Sequence, residues 1–509
     1  MKYFEWQKEF LKKALNKRSV ILSAPTGAGK TIVALEWAKK HLSNRLIITA
    51  PIKALSNQRF RELRSKGIDV GIETGDFKYN KNAHVIVCTQ EIYTTKYARI
   101  PNQTVIIDEF HYFVTNPDRA RAYIDGVVNT HPSTNVLVMS ATFGNPDGVK
   151  KYLDKLMNRD FTLYHTDQRI TELYFQNRID LEDIHDALVF VFSRNGVISI
   201  ASDIADTRDQ IPYDKIAEIV SVSQQFNIKN VNPVLLKGVG YYYGTMLPKE
   251  KLFMEYLFEH RLIDVIVGTD ALALGVNLPA ENVVFAQLAK YYSGPISKNE
   301  FLQISGRAGR LGYFDKGYVY YLDSEFESNE YDTEELFNIL VDKPQEPFSV
   351  QLNISIRDLL NGRSVEEEAK FVSQYSVPPL SYSETKEKIE FVLEQIEELI
   401  SSEDLHEEFK KVLGKIYFPE YSLITNFYVA KKLYEDNSID LEDIISIIFS
   451  REPIRSEYYG LLQVKRFINF LPNKWRYKIK NIYKIDEMIV SIDNTSPISR
   501  EKPDNSMEI

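Results

Sequence analysis

A glycine-rich segment near the N-terminus has the composition of a phosphate-binding loop. SAPTGAGKT, Ser23 to Thr31, follows a run of β-branched residues and precedes a helical pattern. In that setting backbone N–H groups at a helix start can hold phosphates, Lys30 can neutralise their charge, and Thr31 can reach Mg²⁺. Ala24 stands where the general pattern has its first glycine. The other residues expected to line the phosphates are Pro25, Thr26, Gly27, Ala28 and Gly29.

A pair of acids follows another apolar run, VIIDEFHYF, at residues 105–113. A carboxylate at the edge of an apolar core is costly unless something positive lies beside it. With a phosphate loop in the same sheet, that partner is expected to be Mg²⁺, with one carboxylate of Asp108 and Glu109 on the metal and the other near the attacking water. Without that loop, such a pair would be more typical of a solvated strand end.

The elements that must position these residues form two series. Short β-branched runs alternate with helical patterns from Ser19 to Thr142 and again from Ala187 to Leu322, with a junction near 166–177. This alternation predicts parallel sheets wrapped by helices. The strands expected in the second series are ALVFVFS, GVISIA, NPVLLK, DVIVGTD, NVVFAQLA and GYVYYL. Helical patterns at 384–413, 426–449 and 457–471 predict a mostly α-helical C-terminal region.

Length and composition limit the class of protein. The 509 residues predict three or four domains at roughly 150 residues each. The single Cys88 excludes an internal disulfide framework and a cysteine-rich zinc site. A net charge of −9 argues mildly against a protein that coats nucleic acid nonspecifically. No stretch approaches the roughly 18 apolar residues of a membrane span, and the N-terminus has the pattern of an amphipathic helix, so a cytoplasmic location is expected.

Several further segments resemble the motifs of superfamily-two helicases, and of the superkiller/exosome-cofactor-like group of DExH helicases in particular. These segments are APIKALSNQRFREL (motif Ia), TGDFKYN and VIVCTQEIY (Ib and Ic), DEFH (II), SAT (III), GTDALALGVNLPA (V) and QISGRAGRLG (VI). The resemblance covers Met1 to about Leu322, weakens over 342–377 and is faint beyond. It implies two tandem RecA-like domains, 1–165 (ATP-binding) and 166–335. A small winged-helix-like subdomain, 336–380, and a helical domain with a polar tail, 381–509, would follow.

The resemblance assigns roles at the nucleotide site. Lys30 and Thr31 would contact the phosphates and Mg²⁺, Asp108 would bind the metal, and Glu109 would be the water-activating base. Gln303, Arg307 and Arg310 from the second domain would complete the site. Gly275 and the adenine-reading Gln7 would also contact ATP, although Gln7 could equally be a polar surface residue. His111, Ser140 and Thr142 would couple the site to the rest of the motor. Taken alone, His111 could be a structural hydrogen bonder, and the two arginines could lie in a solvated turn.

Small polar residues in the same motifs are expected to hold a nucleic-acid backbone rather than bases. These candidates are Pro51, Lys53, Thr74, Gly75, Thr89, Ser193 and Thr269. Each hydroxyl could instead be a helix cap or a turn residue. The segment 289–298 could form a duplex-parting hairpin with Tyr291 or Tyr292 at its tip, or a plain surface hairpin.

The resemblance therefore implies a helicase or translocase that uses ATP and Mg²⁺, moves 3′ to 5′ and prefers RNA to DNA. A DNA helicase in repair or in antiviral, CRISPR-type defence is the nearest alternative, since DEFH also occurs there. An ATP-gated RNA-binding clamp without unwinding is an alternative of another class. YYYG at 241–244 departs from the histidine-containing HHSG of the family. Basic residues of the C-terminal region could contact the exiting strand or form a solvated face: Lys465, Arg466, Lys474, Arg476, Lys478 and Lys480, with Trp475 among them.

Overall fold

The structure is a computed structural model of the chain. It describes residues 3–399 and 420–495, except for positions 52, 76, 116, 142–143, 276–277, 279, 292, 310–312, 328–329, 437, 455 and 472. Two of the expected site residues, Thr142 and Arg310, lie outside the described residues. The side chain of Lys53 lies outside them as well.

The first domain contains a sheet whose neighbouring strands are parallel except for the β3–β4 pair. The strand order is β4-β3-β5-β2-β6-β7-β1-β8. The strands are β1 Ser19–Ser23, β2 Leu46–Ala50, β3 Val70–Glu73, β4 Lys78–Tyr79, β5 Val85–Thr89, β6 Thr104–Ile107, β7 Asn135–Ser140 and β8 Thr162–His165. The helices are α1 Glu5–Ala14, α2 Lys30–His41, α3 Lys53–Ser65, α4 Gln90–Ile92, α5 Tyr112–Thr115, α6 Pro117–Val128 and α7 Pro146–Met157, with a π turn at Tyr93–Tyr97.

The second domain repeats this architecture with an all-parallel sheet in the order β11-β12-β10-β13-β16-β9. Its strands are β9 Glu172–Arg178, β10 Ala187–Phe190, β11 Val239–Tyr242, β12 Val265–Gly268, β13 Asn282–Phe285 and β16 Lys316–Tyr321, with a separate hairpin of β14 Ala289–Lys290 and β15 Gly294–Pro295. Its helices are α8 Arg194–Asp206, α9 Tyr213–Gln225, α10 Pro248–Glu259, α11 Asp270–Gly275, α12 Lys298–Ser305 and α13 Thr333–Asp342.

Two predicted strands of the second domain are wrong. GVISIA lies inside α8, because Ser193 caps that helix through the N–H of Gly196 (3.0 Å) and its apolar residues are buried at helical spacing. NPVLLK forms a 3₁₀ turn at Pro233–Lys237, which Asn232 caps. Conversely, β9 lies in the junction at 166–177, where no strand was expected.

The burial of the strands in both sheets is typical of parallel sheets covered by helices. The central strands β1, β2, β6 and β7 are buried along their whole length, as are β10, β11 and β12 in the second domain. Strands of that kind need helices on both faces. Separate apolar cores accordingly lie on the two faces of the first sheet, and one of them includes Trp37 while the other includes Phe113.

The C-terminal region is mostly helical, as predicted. Its elements are α14 Ile356–Leu360, α15 Val365–Tyr375, α16 Tyr382–Leu399, α17 Glu420–Glu435, β17 Ile439–Asp440, α18 Leu441–Arg451, α19 Glu457–Phe470, α20 Asn473–Arg476, β18 Ile479–Lys480 and α21 Lys484–Thr495. The helical pattern at 426–449 is two helices rather than one, because β17 interrupts it to pair with β18. Within the described ranges, no helix has the length and apolar character that a membrane crossing requires.

Residues after the second domain return to the first. Phe348 packs on Phe113 and Tyr152, with ring centroids 5.9 and 5.1 Å apart. Val350 and Val377 exchange backbone hydrogen bonds and share the core of the first domain. Ile354, Ile356, Leu360 and Ala369 join the C-terminal core instead, whereas Leu336 and Phe337 belong to the core of the second domain. The separate subdomain at 336–380 therefore stays a prediction, since this segment divides among three cores.

A buried charge cluster fixes the C-terminal region to the first domain. The Arg121 guanidinium on α6 donates to Glu368 on α15 (Nη2 to Oε2, 3.0 Å) and to Asp125 on its own helix (2.8 Å). Arg363 also donates to Glu368, at 2.8 Å. Burial opposes the charge of Arg121, yet these carboxylates raise the pKa of its guanidinium above the ordinary value. Such a cluster holds the two regions in one orientation, because separating them would leave buried charges unpaired.

Candidate functional site

The strand order brings the expected nucleotide-site residues to one edge of the first sheet. β6, β7 and β1 are neighbours, and their carboxyl ends lead into the acid pair, Ser140 and the phosphate loop respectively. The crevice at the carboxyl ends of parallel strands is where α/β folds bind ligands. The three motifs are therefore adjacent although more than a hundred residues of chain separate the first from the last.

The phosphate loop has the backbone that its glycines allow. Gly27 and Gly29 both have φ of +79°, and α2 begins directly afterwards at Lys30. The Lys30 ammonium donates to the carbonyl oxygens of Ala24 (2.8 Å) and Pro25 (3.0 Å). Burial lowers the pKa of Lys30, and the nearby acids Glu109 and Asp108 only partly oppose that effect. Thr31 is half-buried beside it. The hydrogen-bond partners of the Lys30 ammonium in this structure are thus neutral carbonyl groups of the loop.

Gln7 lies against this loop. It is 1% exposed, and its Nε2 donates to the carbonyl of Gly29 at 3.2 Å while its Oε1 accepts from the N–H of Phe4 at 3.0 Å. The interpretation of Gln7 as a polar surface residue is therefore wrong. Its assignment as the adenine-reading residue stays a prediction.

Asp108 and Glu109, the two members of the acid pair, have different partners. Oδ2 of Asp108 accepts from Nη2 of Arg59 at 2.7 Å, and Oδ1 accepts from the N–H of Glu109 at 2.9 Å. Burial raises the pKa of Asp108 against the opposing effect of Arg59. The positive partner anticipated beside this buried carboxylate is thus, in this structure, an arginine of the motif Ia helix α3.

Glu109 is surrounded by positive groups. Its backbone is left-handed, with φ of +49°, and its Oε2 lies 3.4 Å from Nδ1 of His111. Burial tends to raise the pKa of Glu109, but His111, Lys30, Arg59 and Arg307 together lower it below the ordinary value. The carboxylate is therefore ionised at neutral pH.

His111 connects the acid pair to motif III. Its Nδ1 lies 3.2 Å from Oγ of Ser140, and its Nε2 is buried with no hydrogen-bond partner in the described part of the chain. Burial lowers the pKa of His111 despite the neighbouring Glu109. The side chain therefore lies between Glu109 and Ser140.

The motif VI segment of the second domain faces the phosphate loop directly. A Cβ placed on Gly306 would lie 3.0 Å from Cβ of Thr26. The next residue, Arg307, is half-buried; it donates to the carbonyl of Ala273, and its charge contributes to the lowered pKa of Glu109. The alternative that Arg307 lies in a solvated turn is therefore wrong. The half-buried Gln303 lies four residues before Arg307, and Gly275 ends α11, the helix that holds Ala273.

Two further arginines lie at this site that the sequence did not identify. Arg59 lies on the motif Ia helix, 49 residues before its partner Asp108. Arg169 lies in the linker between the domains, and its Nη2 donates to the carbonyl of Ala308 at 2.9 Å. A basic residue within a motif was the only available signal for Arg59, and no pattern in the sequence identified Arg169.

The expected nucleic-acid residues occupy the other half of the same edge. Pro51, Thr74 and Thr89 lie at the carboxyl ends of β2, β3 and β5, which are neighbours beyond β6. In the second domain, Ser193 and Thr269 follow the adjacent strands β10 and β12. The topology thus separates the half of the sheet edge that carries the nucleotide-site residues from the half that carries the expected nucleic-acid residues.

The hydroxyls of Thr74, Ser193 and Thr269 already have local partners. Thr74 is 2% exposed, and its Oγ1 accepts from the N–H of Phe77 at 3.2 Å. Oγ of Ser193 caps α8, and Oγ1 of Thr269 accepts from the N–H of Ala271 at 3.3 Å. Gly75 is exposed. These hydroxyls therefore act first as caps and turn residues, and their contact with nucleic acid stays a prediction.

The segment 289–298 does contain a hairpin, formed by β14 and β15. Tyr291 at its tip is 84% exposed, whereas Tyr292 lies outside the described residues. An exposed aromatic ring can stack on a base.

Much of the basic C-terminal segment is structural. The Lys478 ammonium donates to the carbonyl of Leu433 at 2.9 Å, and Arg476 donates to the carbonyl of Leu471 at 2.8 Å. Lys465 pairs with Asp486 at 2.5 Å, and Trp475 is 3% exposed. These groups support the fold of the C-terminal region, whereas Arg466, Lys474 and Lys480 are exposed. Contact of the segment with an exiting strand stays a prediction.

Comparison with known proteins agrees with this geometry. A DEAD/DEAH box helicase model matches residues 4–149, and a helicase conserved C-terminal domain model matches residues 168–312. The chain is 28% identical over 404 residues to mRNA transport homolog 4 of Caenorhabditis elegans, covering 62% of this chain and 39% of that protein. It is 27% identical over 392 residues to ATP-dependent RNA helicase mtr4 of Schizosaccharomyces pombe, covering 60% and 35%. It is 28% identical over 400 residues to exosome RNA helicase MTR4 of Mus musculus, covering 62% and 38%.

The chain therefore spans less than two-fifths of the length of these relatives. The matched ranges contain the phosphate loop, the acid pair and the motif VI segment. The expectation of tandem RecA-like domains is confirmed. The chain belongs to the superfamily-two DExH helicases, in the group that includes the exosome-cofactor helicases.

Proposed function

We propose that this chain is an ATP-driven nucleic-acid helicase and translocase that prefers RNA to DNA and moves 3′ to 5′. The contact between Gly306 and Thr26 carries the proposal, because it brings the motif VI segment of one domain onto the phosphate loop of the other. A site completed by two domains can hydrolyse nucleotide only when they are together, which couples hydrolysis to domain movement. The functional units proposed are 1–165, 166–335, 336–380 and 381–509.

The phosphates of ATP would bind at the loop from Ala24 to Thr31. Lys30 would exchange its neutral carbonyl partners for phosphate oxygens, and the backbone N–H groups before α2 would donate to them. Gln7 and Gly275 complete the proposed ATP contacts.

Thr31 and Asp108 would hold Mg²⁺. Their oxygens fit a hard cation that takes few protein ligands and shares phosphate oxygens. Among the described residues, no cluster of three or more acidic, histidine or cysteine side chains could hold a metal by itself. When bound, the ion would neutralise charge on the phosphates. Arg59, which now holds Asp108 at 2.7 Å, supports this assignment because it occupies the place of a cation.

Glu109 is proposed to orient water and accept its proton. The positive groups around it keep it ionised, and His111 beside it couples its state to Ser140 and, by family resemblance, to Thr142. Gln303, Arg307 and Arg310 would stabilise charge on the transferred phosphoryl group from the opposite domain.

A strand of nucleic acid would lie across the far half of both sheet edges. The preference for RNA rests on the relatives, whose names include RNA helicases, and the direction of movement rests on family resemblance. The exposed Tyr291 on its hairpin supports unwinding rather than clamping alone. A cytoplasmic location is proposed with this activity.

The test compares ATP hydrolysis in the presence of matched single-stranded RNA and DNA, and then unwinding of duplexes with a 3′ or a 5′ tail. We expect RNA to stimulate hydrolysis more than DNA, and only the 3′-tailed duplex to be unwound. Lys30→Ala should abolish turnover, while Glu109→Gln should bind ATP without hydrolysing it.

Each alternative has its own result. Stronger stimulation by DNA would favour the DNA helicase, and RNA-stimulated hydrolysis without unwinding would indicate a clamp. The absence of stimulation by either strand would contradict the motor.

A further inference from the structure

The linker between the domains lies directly against the phosphate loop. A Cβ placed on Gly27 would lie 3.9 Å from Nη2 of Arg169, and one placed on Gly29 would lie 3.5 Å from Cδ1 of Ile170. Upstream, the N–H of Thr166 donates to the carbonyl of Ser23 at 3.0 Å. The linker therefore borders the loop on which phosphates are proposed to bind.

The same guanidinium contacts the motif VI segment. Nη2 of Arg169 donates to the carbonyl oxygens of Ala308 (2.9 Å) and Gly306 (3.4 Å), and its Nε donates to the carbonyl of Thr171 (3.3 Å). Arg169 thus contacts the backbone on both sides of Arg307, the proposed arginine from the second domain.

Within the described ranges, the charge of Arg169 has no counter-ion. Its hydrogen-bond partners there are all carbonyl oxygens, and no carboxylate offsets the burial that lowers its pKa to about 10. Lys30, with two carbonyl partners of its own, lies close enough for Arg169 to contribute to its lowered pKa, after burial. Two buried cations facing one loop are unfavourable unless an anion binds between them.

We propose that Arg169 binds the phosphates of the nucleotide and, through the same guanidinium, holds the motif VI segment in place beside them. The inference rests on the proposed ATP site and adds a binding residue supplied by the interdomain linker. A guanidinium suits this double role, because it has five N–H donors and forms strong charge-assisted hydrogen bonds with phosphate.

The test measures binding of a fluorescent, slowly hydrolysed ATP analogue and of AMP to Arg169→Gln, Arg169→Lys and the wild type. We expect Arg169→Gln to raise the Kd for the triphosphate at least about tenfold and AMP much less, since a charge-assisted contact is lost. Arg169→Lys should fall between. Arg178→Gln is the matched control, because Arg178 is an exposed arginine on β9 that pairs with Asp180 (3.0 Å) and Asp323 (3.3 Å).

A role in holding the linker alone gives a different result. Arg169→Gln would then lower the melting temperature of the nucleotide-free protein while leaving the Kd for the triphosphate at the wild-type value, and this would overturn the inference. Lys30→Ala separates the two proposals. Suppose that the wild type binds the analogue, that Lys30→Ala does not bind it, and that Arg169→Gln binds it with the wild-type Kd. In that case only the role of Arg169 fails. If the wild type does not bind it, the proposed ATP site fails as well.

Discussion

Gly306 of the second domain packs on Thr26 of the phosphate loop so closely that an added Cβ would lie 3.0 Å from the threonine Cβ. That distance is tighter than ordinary van der Waals contact, so even a methyl group would push the two surfaces apart. Gly306→Ala should therefore lower kcat about tenfold, since small displacements of catalytic groups are costly. Gly306→Val should lower it further.

The measurement is steady-state ATP hydrolysis with saturating RNA, together with RNA affinity, which should not change. Gly244→Ala is the control, because a Cβ at Gly244 would meet no atom within 4 Å. Wild-type kcat in Gly306→Val would mean that these surfaces do not meet during hydrolysis.

The Glu368 carboxylate should be essential to the attachment of the C-terminal region. It is 0% exposed and accepts from Arg121 (3.0 Å), Arg363 (2.8 Å) and the N–H of Ser355 (2.7 Å). Glu368→Ala removes the buried carboxylate that these donors share, so the free energy of unfolding should fall by about 3–5 kcal/mol. Urea denaturation measures that loss, and limited proteolysis should show faster cleavage after the second domain.

Glu366 on the same helix provides the comparison. It is exposed and pairs with Lys386 at 3.0 Å, so Glu366→Ala should change stability little. Equal stabilities for the two variants would mean that the cluster does not anchor this region.

Stability should depend on pH through Glu255 of α10. Burial raises the pKa of Glu255 from 4.5 to about 7, against the opposing hydrogen bond from Tyr242 (3.1 Å). The folded protein therefore keeps a proton that the unfolded chain releases between pH 4.5 and 7, and stability falls as pH rises through that window. Glu255→Gln mimics the protonated form and should raise the melting temperature by a few degrees at pH 8.

That gain should disappear below pH 4.5, where wild-type Glu255 is protonated in both states. Thermal scans at the two pH values test this, with Glu259→Gln as an exposed neighbour on the same helix. A pH-independent gain would contradict the role given to burial.

Local sequence predicted the parts of the site that one segment determines. The glycines of the phosphate loop and the acids after β6 are recognisable because backbone conformation and strand position follow from adjacent residues. GVISIA was mistaken for a strand because a short apolar run has no decisive period, and only the Ser193 cap reveals the helix.

Local sequence patterns do not predict contacts between segments that lie far apart in the chain. The Arg59–Asp108 pair joins residues 49 apart, and Arg169 reaches carbonyls 137 and 139 residues away. The sequence allows both a surface and a site interpretation of Gln7, because the burial of this residue depends on how α1 packs beside the loop. These arrangements follow from tertiary packing, which residue types and spacing alone do not determine.

ATP hydrolysis by Arg307→Ala at saturating RNA tests most directly whether the second domain completes the ATP site. The arginine lies in the cleft, and its charge acts on Glu109. We predict that kcat falls by about 10³, as expected when an arginine that stabilises phosphoryl transfer is removed, while RNA affinity and melting temperature stay near wild type. Hydrolysis at the wild-type rate without this guanidinium would contradict a site shared between the two domains.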